Sequence, residues 1–237
     1  GDVIRVPMDH LELVYKYSGG EGNAPSVHRL GSQEWAQSKA RIKKSLRKIA
    51  EDLLRLYRIR ATRPGYQYPP DTPWQAEVED DFEFQETDGQ IRALTEIKKD
   101  MESPKPMDRL ICGEVGYGKT EIAVRAALKA LLDGKQVAVL TPTTVLAQQH
   151  YLTFSRRFKK MPIRIEMISR FRSTKEIKKA LEGLKAGTVD LVIGTHRLLS
   201  KDVAFCNLGL LIIDEEQKFG VSHKERIKTL KETVDVL

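Results

Sequence analysis

The stretch DRLICGEVGYGKTEIAVRAALKALLDG, residues 108–134, decides the fold of this chain. A short apolar run ending at Cys112 predicts a strand, and the apolar spacing over residues 120–132 predicts a helix that stops at Gly134. Between them, GEVGYGKT matches the phosphate-loop pattern G-x-x-x-x-G-K-[ST] in the strand-to-helix context that the pattern requires. A glycine-rich turn with an incidental lysine is the alternative, and that context argues against it.

The residue types of this loop suit a nucleoside triphosphate and Mg²⁺. Its glycines let successive backbone N–H groups point at phosphate oxygens, and the N-terminus of the next helix adds partial positive charge. Lys119 is predicted to reach the β- and γ-phosphates, and Thr120 to offer its hydroxyl to Mg²⁺. The predicted contact set is Gly113, Glu114, Val115, Gly116, Tyr117, Gly118, Lys119 and Thr120.

A second stretch, LGLLIIDEEQKFG over residues 208–220, carries an aliphatic run into consecutive carboxylates. Grouped acids repel one another, which indicates a cation beside them. In a phosphate-loop domain, a later parallel strand brings a carboxylate to the metal. We therefore predict that Asp214 holds Mg²⁺ through water, that Glu215 orients and deprotonates the attacking water, and that Gln217 responds to the γ-phosphate. For an isolated DEE, a solvated acidic turn is the alternative.

From about Phe82 onward, strand and helix patterns alternate. Several strand candidates are continuous aliphatic runs, which are typical of strands covered on both faces in a parallel sheet. The predicted fold class is therefore α/β, with a doubly wound and mostly parallel sheet. The predicted strands cover residues 108–112, 136–142, 163–169, 190–195, 208–214 and 234–237. Helical patterns lie between them, over residues 120–132, 145–158, 174–185 and 224–233.

Polar residues follow three of these strands where each strand ends. Ligands of such sheets bind at the edge where the carboxyl ends of the strands lie. Short hydroxyl side chains, together with Gln, Arg and His, suit hydrogen bonds to a sugar-phosphate backbone. The alternative is that Thr and Ser at strand ends are ordinary helix caps. The residues are Thr143, Thr144, Gln148, Ser169, Arg170, Thr195, His196 and Arg197.

Composition bounds the class of protein. The chain has 237 residues, of which 41% are hydrophobic, so it can bury a core in one or two domains. No apolar run is long enough to cross a membrane, and the amino terminus lacks the basic and apolar regions of a signal peptide. We expect a cytoplasmic protein without membrane association, whose Cys112 and Cys206 are reduced and bind no zinc.

The net charge of +7 is concentrated in one segment. Residues 39–63 hold ten Lys and Arg against two acids, whereas residues 71–90 hold eight acids and no Lys or Arg. Residues 32–61 predict a helix that Ser32 caps and whose apolar residues lie along one face. Its basic face either contacts DNA phosphates or belongs to a linker helix and is solvated or paired with the acidic stretch. We favour the linker, because the apolar face indicates docking on protein. The apolar positions are Trp35, Ile42, Leu46, Ile49, Leu53, Leu56 and Tyr57.

The chain resembles the first RecA-like lobe of the superfamily 2 DNA translocases. The resemblance is carried, in order, by GEVGYGKT, PTTVLAQQH, IEMISRFRS, VIGTHRLLSKDV and LGLLIIDEEQKFGVSHKE. The fork-reversing RecG helicases share much of this lobe and are the alternative. The upstream stretch from Val6 to Tyr57 is instead similar to the end of the polymerase-interacting domain and the linker helix of the transcription-repair coupling factors. The resemblance to that second family spans nearly the whole chain.

This resemblance implies a role for each motif. Lys119 and Thr120 fall in helicase motif I, and residues 214–217 form motif II. FQETDGQ, residues 84–90, resembles the segment that recognises adenine, with Gln90 as the hydrogen-bonding partner; an exposed helix glutamine is the alternative. Phe82 and Phe84 either stack on the base or pack in the protein. The positions implied to contact one DNA strand are Thr143, Thr144 and Gln148 in motif Ia, Arg170 and Phe171 in motif Ib, and Thr195 and His196 in motif Ic.

The resemblance also divides the chain. Residues 1–30 correspond to the end of the β domain that interacts with RNA polymerase, with its last strand near residues 3–13. Residues 31–81 are the basic linker helix and a Pro-rich connector, and residues 82–237 are the RecA-like lobe, truncated before motif III. We therefore expect a fragment that binds nucleotide weakly and hydrolyses it slowly, because the arginine finger belongs to a second lobe. Glu114 replaces the usual Asp, and Lys218 the usual Arg or His, without changing the charge class.

The activity implied is ATP-dependent translocation on double-stranded DNA, with ATP and Mg²⁺ as cofactors. In full-length members of that family, the motor displaces stalled RNA polymerase and recruits nucleotide excision repair proteins. Two other classes remain open: a non-catalytic docking module that senses nucleotide, and another phosphate-loop enzyme such as a kinase. PTTVLAQQH and DEEQ weigh against the kinase. The oligomeric state stays open, with a monomer as the expectation.

Overall fold

The computed structural model describes residues 5–15, 33–114, 116–220, 223, 226–227, 229–230 and 234–237. The chain divides into two compact units, residues 1–55 and 56–237, and the α/β fold lies in the second. The helices are α1 (Gln33–Thr62), α2 (Pro73–Asp80), α3 (Asp88–Met101), α4 (Lys119–Leu132), α5 (Thr144–Arg157) and α6 (Thr174–Ala186). The residues described between 223 and 230 are also helical. In the part of the chain that the structure describes, no helix is both long enough and apolar enough to cross a bilayer.

Five strands form one sheet in which every pair of neighbours is parallel. The order across the sheet is β2-β3-β1-β4-β5. Because all five strands run the same way, their carboxyl ends share one side of the sheet, which we call the carboxyl edge. The predicted α/β class with a parallel sheet is confirmed. The strands are β1 (Gln136–Leu140), β2 (Ile165–Ile168), β3 (Leu191–Gly194), β4 (Leu208–Ile213) and β5 (Asp235–Val236).

Both faces of the sheet are covered by apolar side chains. Along β1, Val137 and Val139 belong to one buried cluster, whereas Ala138 and Leu140 belong to the other. This alternation is the period of two that a strand imposes on its side chains. Helices α3, α4 and α5 contribute to the first cluster, and α6 contributes to the second. The continuous aliphatic runs of the strands are therefore explained by burial on both sides.

The strand predicted over residues 108–112 is wrong for most of its length. Asp108 forms a single parallel bridge with Val236, and the N–H of Arg109 donates to the carbonyl of Val236 at 2.9 Å. The rest of the segment up to Glu114 has no regular secondary structure. Because β5 has only two residues, it offers ladder partners as far as Arg109 and not beyond.

The amino-terminal unit differs from expectation in one place. Residues Met8–Leu13 form a 3₁₀ helix after Pro7, so the strand expected near residues 3–13 is wrong for this stretch. The predicted long helix is confirmed as α1, while its proposed cap, Ser32, lies outside the described residues. The apolar positions Ile42, Leu46 and Ile49 are exposed, whereas the side chain of Trp35 is outside the described part.

The connector after α1 is anchored in the second unit. Arg60, near the end of α1, is buried and donates to the backbone carbonyls of Pro106 at 3.2 Å and Met107 at 2.6 Å. Tyr68 is fully buried and belongs to the first apolar cluster. A side chain at Gly65 would collide with the backbone of Pro106, so glycine is required where the connector passes this segment.

The acidic stretch of residues 71–90 forms ion pairs with α3, α4 and Lys160. These pairs tie the connector to the α/β fold, whereas one of our alternatives was that the stretch pairs with the basic face of α1. Pairing of the stretch with the basic face of α1 stays a prediction. The described pairs are Asp71 with Lys98 and Lys129, Glu79 with Lys98 and Arg125, Glu86 with Arg125, and Asp81 with Lys160.

Candidate nucleotide-binding site

The phosphate loop occupies the turn before α4. Gly116 and Gly118 have φ values of +90° and +70°, a region that other residues rarely adopt, and Gly118 caps α4. The ammonium group of Lys119 donates to the carbonyl oxygens of Gly113 at 2.5 Å and Glu114 at 2.8 Å. The loop thus curls around a lysine that already binds two oxygen acceptors, which fits the predicted contact with phosphate oxygens. Val115 lies outside the described residues.

Gln90 connects the predicted adenine segment to this loop. Its Nε2 donates to the carbonyl of Tyr117 at 3.1 Å, and its Oε1 accepts from the N–H of Thr87 at 2.9 Å. The Thr87 side chain in turn caps α3 by accepting from the N–H of Gln90. A primary amide has a second N–H and a second lone pair, so Gln90 keeps one donor and one acceptor for a base. It is not simply an exposed helix glutamine.

A cavity of about 680 Å³ lies between the loop and residues 81–87. The guanidinium groups of Arg125 and Arg157 each lie 5.3 Å from the ring centre of Phe82, which therefore packs in the protein. Phe84 contacts Phe82 edge-on at 5.6 Å between centroids and is 70% exposed, so it remains the candidate for stacking on a base. Both Phe84 and Gln90 line the cavity, as the adenine prediction requires.

Asp214 follows the last residue of β4 at the carboxyl edge. Its N–H donates to the carbonyl of Leu140 at 2.9 Å, which fixes its backbone beside β1. His150 of α5 lies 3.0 Å from one carboxylate oxygen of Asp214. The pKa of Asp214 is lowered, chiefly by the hydrogen bond and charge of His150 against the opposing effect of burial, with Lys119 and Lys218 contributing. Lys119, 95 positions away in sequence, is thus near enough for its charge to help lower the pKa of Asp214.

The rest of the acidic motif forms a short turn. Glu215 has φ +51° and ψ +55°, the left-handed conformation that a glutamate adopts at a cost of about 1 kcal/mol or more. Lys218 forms an ion pair with Glu215 at 2.5 Å. Gln217 is exposed in the 3₁₀ turn Glu216–Lys218. The role of Glu215 toward an attacking water stays a prediction.

The oxygen donors suit Mg²⁺. Thr120 lies in the first turn of α4, directly after Lys119, and offers a hydroxyl, while Asp214 offers a carboxylate. Among the described residues, no group of three His, Cys, Asp or Glu could hold a metal ion by itself. Mg²⁺ is commonly held by one or two carboxylates together with substrate phosphates, so this donor set fits a metal that arrives with a nucleotide.

The three predicted DNA-contacting segments lie side by side. They follow β2, β3 and β1, which are adjacent in the sheet, and Asp214 follows the next strand, β4. Because the strands are parallel, the three segments form a continuous stretch of the carboxyl edge that ends at the proposed metal ligand. The sequence predicted each segment at the end of a strand but not their order.

The individual side chains in these segments differ in availability. Thr143 caps α5 by accepting from the N–H of Leu146 at 3.2 Å, and Thr144 and Gln148 are half-buried in the first turns of that helix. Arg170 and Phe171 are exposed beyond β2, where Ser169 is buried and accepts from the N–H of Phe171. These two exposed side chains are the best placed to meet a ligand at this edge.

The side chains of the segment after β3 are buried or contact other side chains of the protein. Thr195 is only 4% exposed. Arg197 forms a two-pronged ion pair with Asp202, with N to O distances of 2.7 and 2.5 Å, which holds the pKa of that carboxyl below its usual range. His196 is exposed and stacks on His223 at 5.3 Å between ring centroids. The contacts of Thr195 and Arg197 favour a structural role, and their predicted contact with DNA remains to be tested.

Two residues of this region were not singled out from the sequence. His150 lies in PTTVLAQQH, but no local sequence pattern predicts its contact with the carboxylate of Asp214, 64 residues away. Arg157, at the end of α5, donates to Glu121 at 2.7 Å and to the carbonyls of Val78 and Asp81. It therefore joins α4 to the segment that leads into the cavity.

Comparison with known proteins was consistent with this geometry. The DEAD/DEAH box helicase family matches residues 87–237. The chain is 56% identical to the transcription-repair-coupling factor of Bacillus subtilis (strain 168) and 55% identical to those of Staphylococcus haemolyticus (strain JCSC1435) and Staphylococcus aureus (strain USA300). Each alignment covers 236 residues, 100% of this chain and 20% of the relative. The chain thus spans about a fifth of the length of the curated relatives it matches.

A solved structure supports the fold. The chain is similar to RecG bound to a three-way DNA junction, with a TM-score of 0.68 and 37% sequence identity. The match covers 77% of this chain and 24% of that one. The sheet order, the phosphate loop and these matches agree on a RecA-like helicase domain that uses a nucleotide. The chain belongs to the DEAD/DEAH box helicase family.

Proposed function

We propose that this chain is the ATP-binding lobe of a translocase that moves on double-stranded DNA. The observation that carries the proposal is the arrangement of the carboxyl edge. Asp214 follows β4 at one end of it, where the charge of Lys119 helps lower its pKa, and the three polar segments follow the neighbouring strands β1, β3 and β2. A nucleotide bound at Lys119 would therefore lie next to a nucleic-acid strand bound at the neighbouring strand ends.

Each side chain has a defined task in this proposal. Lys119 binds the β- and γ-phosphate oxygens in place of the carbonyls of its own loop. Thr120 and Asp214 hold Mg²⁺, which when bound neutralises charge on those oxygens. Glu215 orients the attacking water and accepts a proton at its carboxylate. Gln90 and Phe84 select adenine through hydrogen bonding and stacking. That the isolated chain turns over slowly stays a prediction, because this reaction depends on an arginine finger from another lobe or protein.

The biological setting follows from the relatives. The curated proteins matched over the whole chain are transcription-repair-coupling factors, and their similarity includes α1 and the residues before it. We infer that the complete protein displaces stalled RNA polymerase and recruits nucleotide excision repair proteins. A RecG-like fork-remodelling activity is the second candidate, favoured by the structural match to RecG bound to a DNA junction. That match covers 77% of the chain, so the first candidate explains more of it.

The proposal is tested by ATP hydrolysis in the full-length protein that contains these residues. Double-stranded DNA is expected to stimulate hydrolysis, and Lys119→Ala is expected to abolish it while DNA binding without nucleotide persists. A rate of hydrolysis that does not change when DNA is added would exclude the translocase hypothesis. The alternative of a nucleotide-sensing docking module would then be favoured. Displacement of a stalled transcription complex, compared with regression of a model replication fork, separates the two candidate settings.

A further inference from the structure

His150, near the middle of α5, contacts Asp214, the proposed metal ligand. Its Nε2 lies 3.0 Å from Oδ2 of Asp214. The side chain of His150 is 13% exposed and that of Asp214 is 29% exposed, so the contact is shielded from most of the solvent. A carboxylate only accepts hydrogen bonds, so Nε2 of His150 donates and carries a proton in this pair.

The geometry of both partners is constrained by packing. On α5, His150 lies between Ala147 and Phe154, both fully buried, and its ring meets that of Phe154 edge-on at 6.3 Å between centroids. The backbone of Asp214 is held against β1 by its hydrogen bond to Leu140. The Asp214 side chain could therefore still rotate, and its hydrogen bond with His150 restricts that rotation.

We propose that His150 is a positioning residue, which holds the carboxylate of Asp214 so that its other oxygen faces the phosphate loop and Mg²⁺. The inference rests on the proposed nucleotide-binding function. Groups that orient a metal ligand from behind fix its direction and raise metal affinity, and their loss costs about 10- to 100-fold in affinity or activity. His150 itself contacts neither nucleotide nor metal in this scheme.

The test measures how much Mg²⁺ strengthens nucleotide binding, which is a readout separate from turnover. A fluorescent, non-hydrolysable ATP analogue is titrated into the full-length protein with Mg²⁺ and again with EDTA. The ratio of the two dissociation constants is the gain that Mg²⁺ provides. His150→Ala is expected to reduce this gain about tenfold and to leave affinity in EDTA unchanged. His150→Gln keeps an N–H at a similar reach and is expected to restore most of the gain.

A matched control is available on the same helix. Gln149 is exposed and adjacent to His150, and Gln149→Ala is expected to behave as wild type. An unchanged Mg²⁺ gain in His150→Ala would overturn the proposal. Equal losses in His150→Ala and His150→Gln would also overturn it, as would a loss of affinity in EDTA, since both outcomes indicate a structural ring rather than a donor. If wild-type protein shows neither a Mg²⁺ gain nor DNA-stimulated hydrolysis, the proposed function itself fails, and this inference with it.

Discussion

The side-chain amide of Gln90 donates a hydrogen bond to the backbone carbonyl of Tyr117, which lies 27 positions away and directly before Gly118. The start of α3 is thereby fastened to the phosphate loop. A Cβ at Gly118 would collide with the same Gln90 amide, and Gly118 also has a positive φ. Glycine at this position thus serves both the turn and the contact between the base and phosphate parts of the site.

Gly118→Ala is therefore expected to weaken nucleotide binding by more than backbone strain alone would. Gly134→Ala is the matched control, because Gly134 has the same φ of +70° but open space around its Cα. The strain in each variant is roughly 1–2 kcal/mol. Titration of nucleotide, together with thermal unfolding, should show similar losses of stability and a loss of nucleotide affinity confined to Gly118→Ala. Equal nucleotide affinities in Gly118→Ala and Gly134→Ala would mean that the Gln90 side chain moves away from a Cβ at position 118 without loss of binding.

Asp235 on β5 is expected to make stability depend on pH. Burial raises its pKa from an ordinary value of 3.8 to about 7, against the lowering effects of the Met107 N–H and of Arg60, while Asp100 raises it further. The folded state then binds a proton that the unfolded state has lost. The free energy of unfolding should therefore fall as pH rises from about 4 to about 7, and stay level above that range.

Asp235→Asn removes this dependence and keeps an acceptor for the N–H of Met107, which donates to Asp235 at 2.6 Å. The variant should be more stable than wild type at pH 8 by an amount on the order of 4 kcal/mol, and the difference should vanish near pH 4. Urea unfolding at several pH values measures it. A difference that does not change between pH 4 and pH 8 would show that Asp235 stays ionised in the folded protein.

Replacing Arg170 is expected to weaken DNA binding more than replacing Arg197. Arg170 is exposed at the carboxyl edge, whereas Arg197 is engaged by Asp202. Arg170→Ala should weaken binding of double-stranded DNA equally for all sequences and reduce the slope of log affinity against log salt by about one. Arg197→Ala should change that slope less. The measurement is fluorescence anisotropy at several salt concentrations, and the opposite ranking would assign the phosphate contact to the segment after β3.

Arg157→Ala is expected to weaken the packing around the cavity that Phe84 and Gln90 line, and to leave the phosphate loop unchanged. The side chain of Arg157 is 10% exposed and pairs with Glu121, which is itself 9% exposed and would keep only Arg125. Removing one member of a buried ion pair typically costs about 3 kcal/mol or more. We expect a lower thermal midpoint and weaker binding of ATP, with little change in the affinity for inorganic triphosphate, which lacks the base. Parallel losses for both ligands would place the damage in the phosphate loop.

Local patterns were enough to predict the centre of the site. The phosphate loop depends on residues within eight positions of one another, and Asp214 is marked by the aliphatic run before it. The parallel sheet follows from continuous apolar strands, which need cover on both faces. Each of these features is encoded by neighbours in sequence, so each could be read without knowing which strands pair.

Features that depend on distant contacts were not predictable in this way. The strand order, the His150 contact and the contact of Phe82 with two arginines all arise from residues distant in sequence. The apolar run of residues 110–112 has strand propensity, but the described residues include no strand that pairs with it. Residues Met8–Leu13, which the resemblance placed in a strand, form a 3₁₀ helix after Pro7.

Helix α5 touches all three parts of the site along its length. Thr143 caps its first turn at the carboxyl edge, and His150, near its middle, contacts Asp214. At its last residue, Arg157 donates to the backbone carbonyls of Val78 and Asp81. Fourteen residues make a rod about 21 Å long. A single helix therefore links the carboxyl edge, the proposed metal ligand and the wall of the cavity.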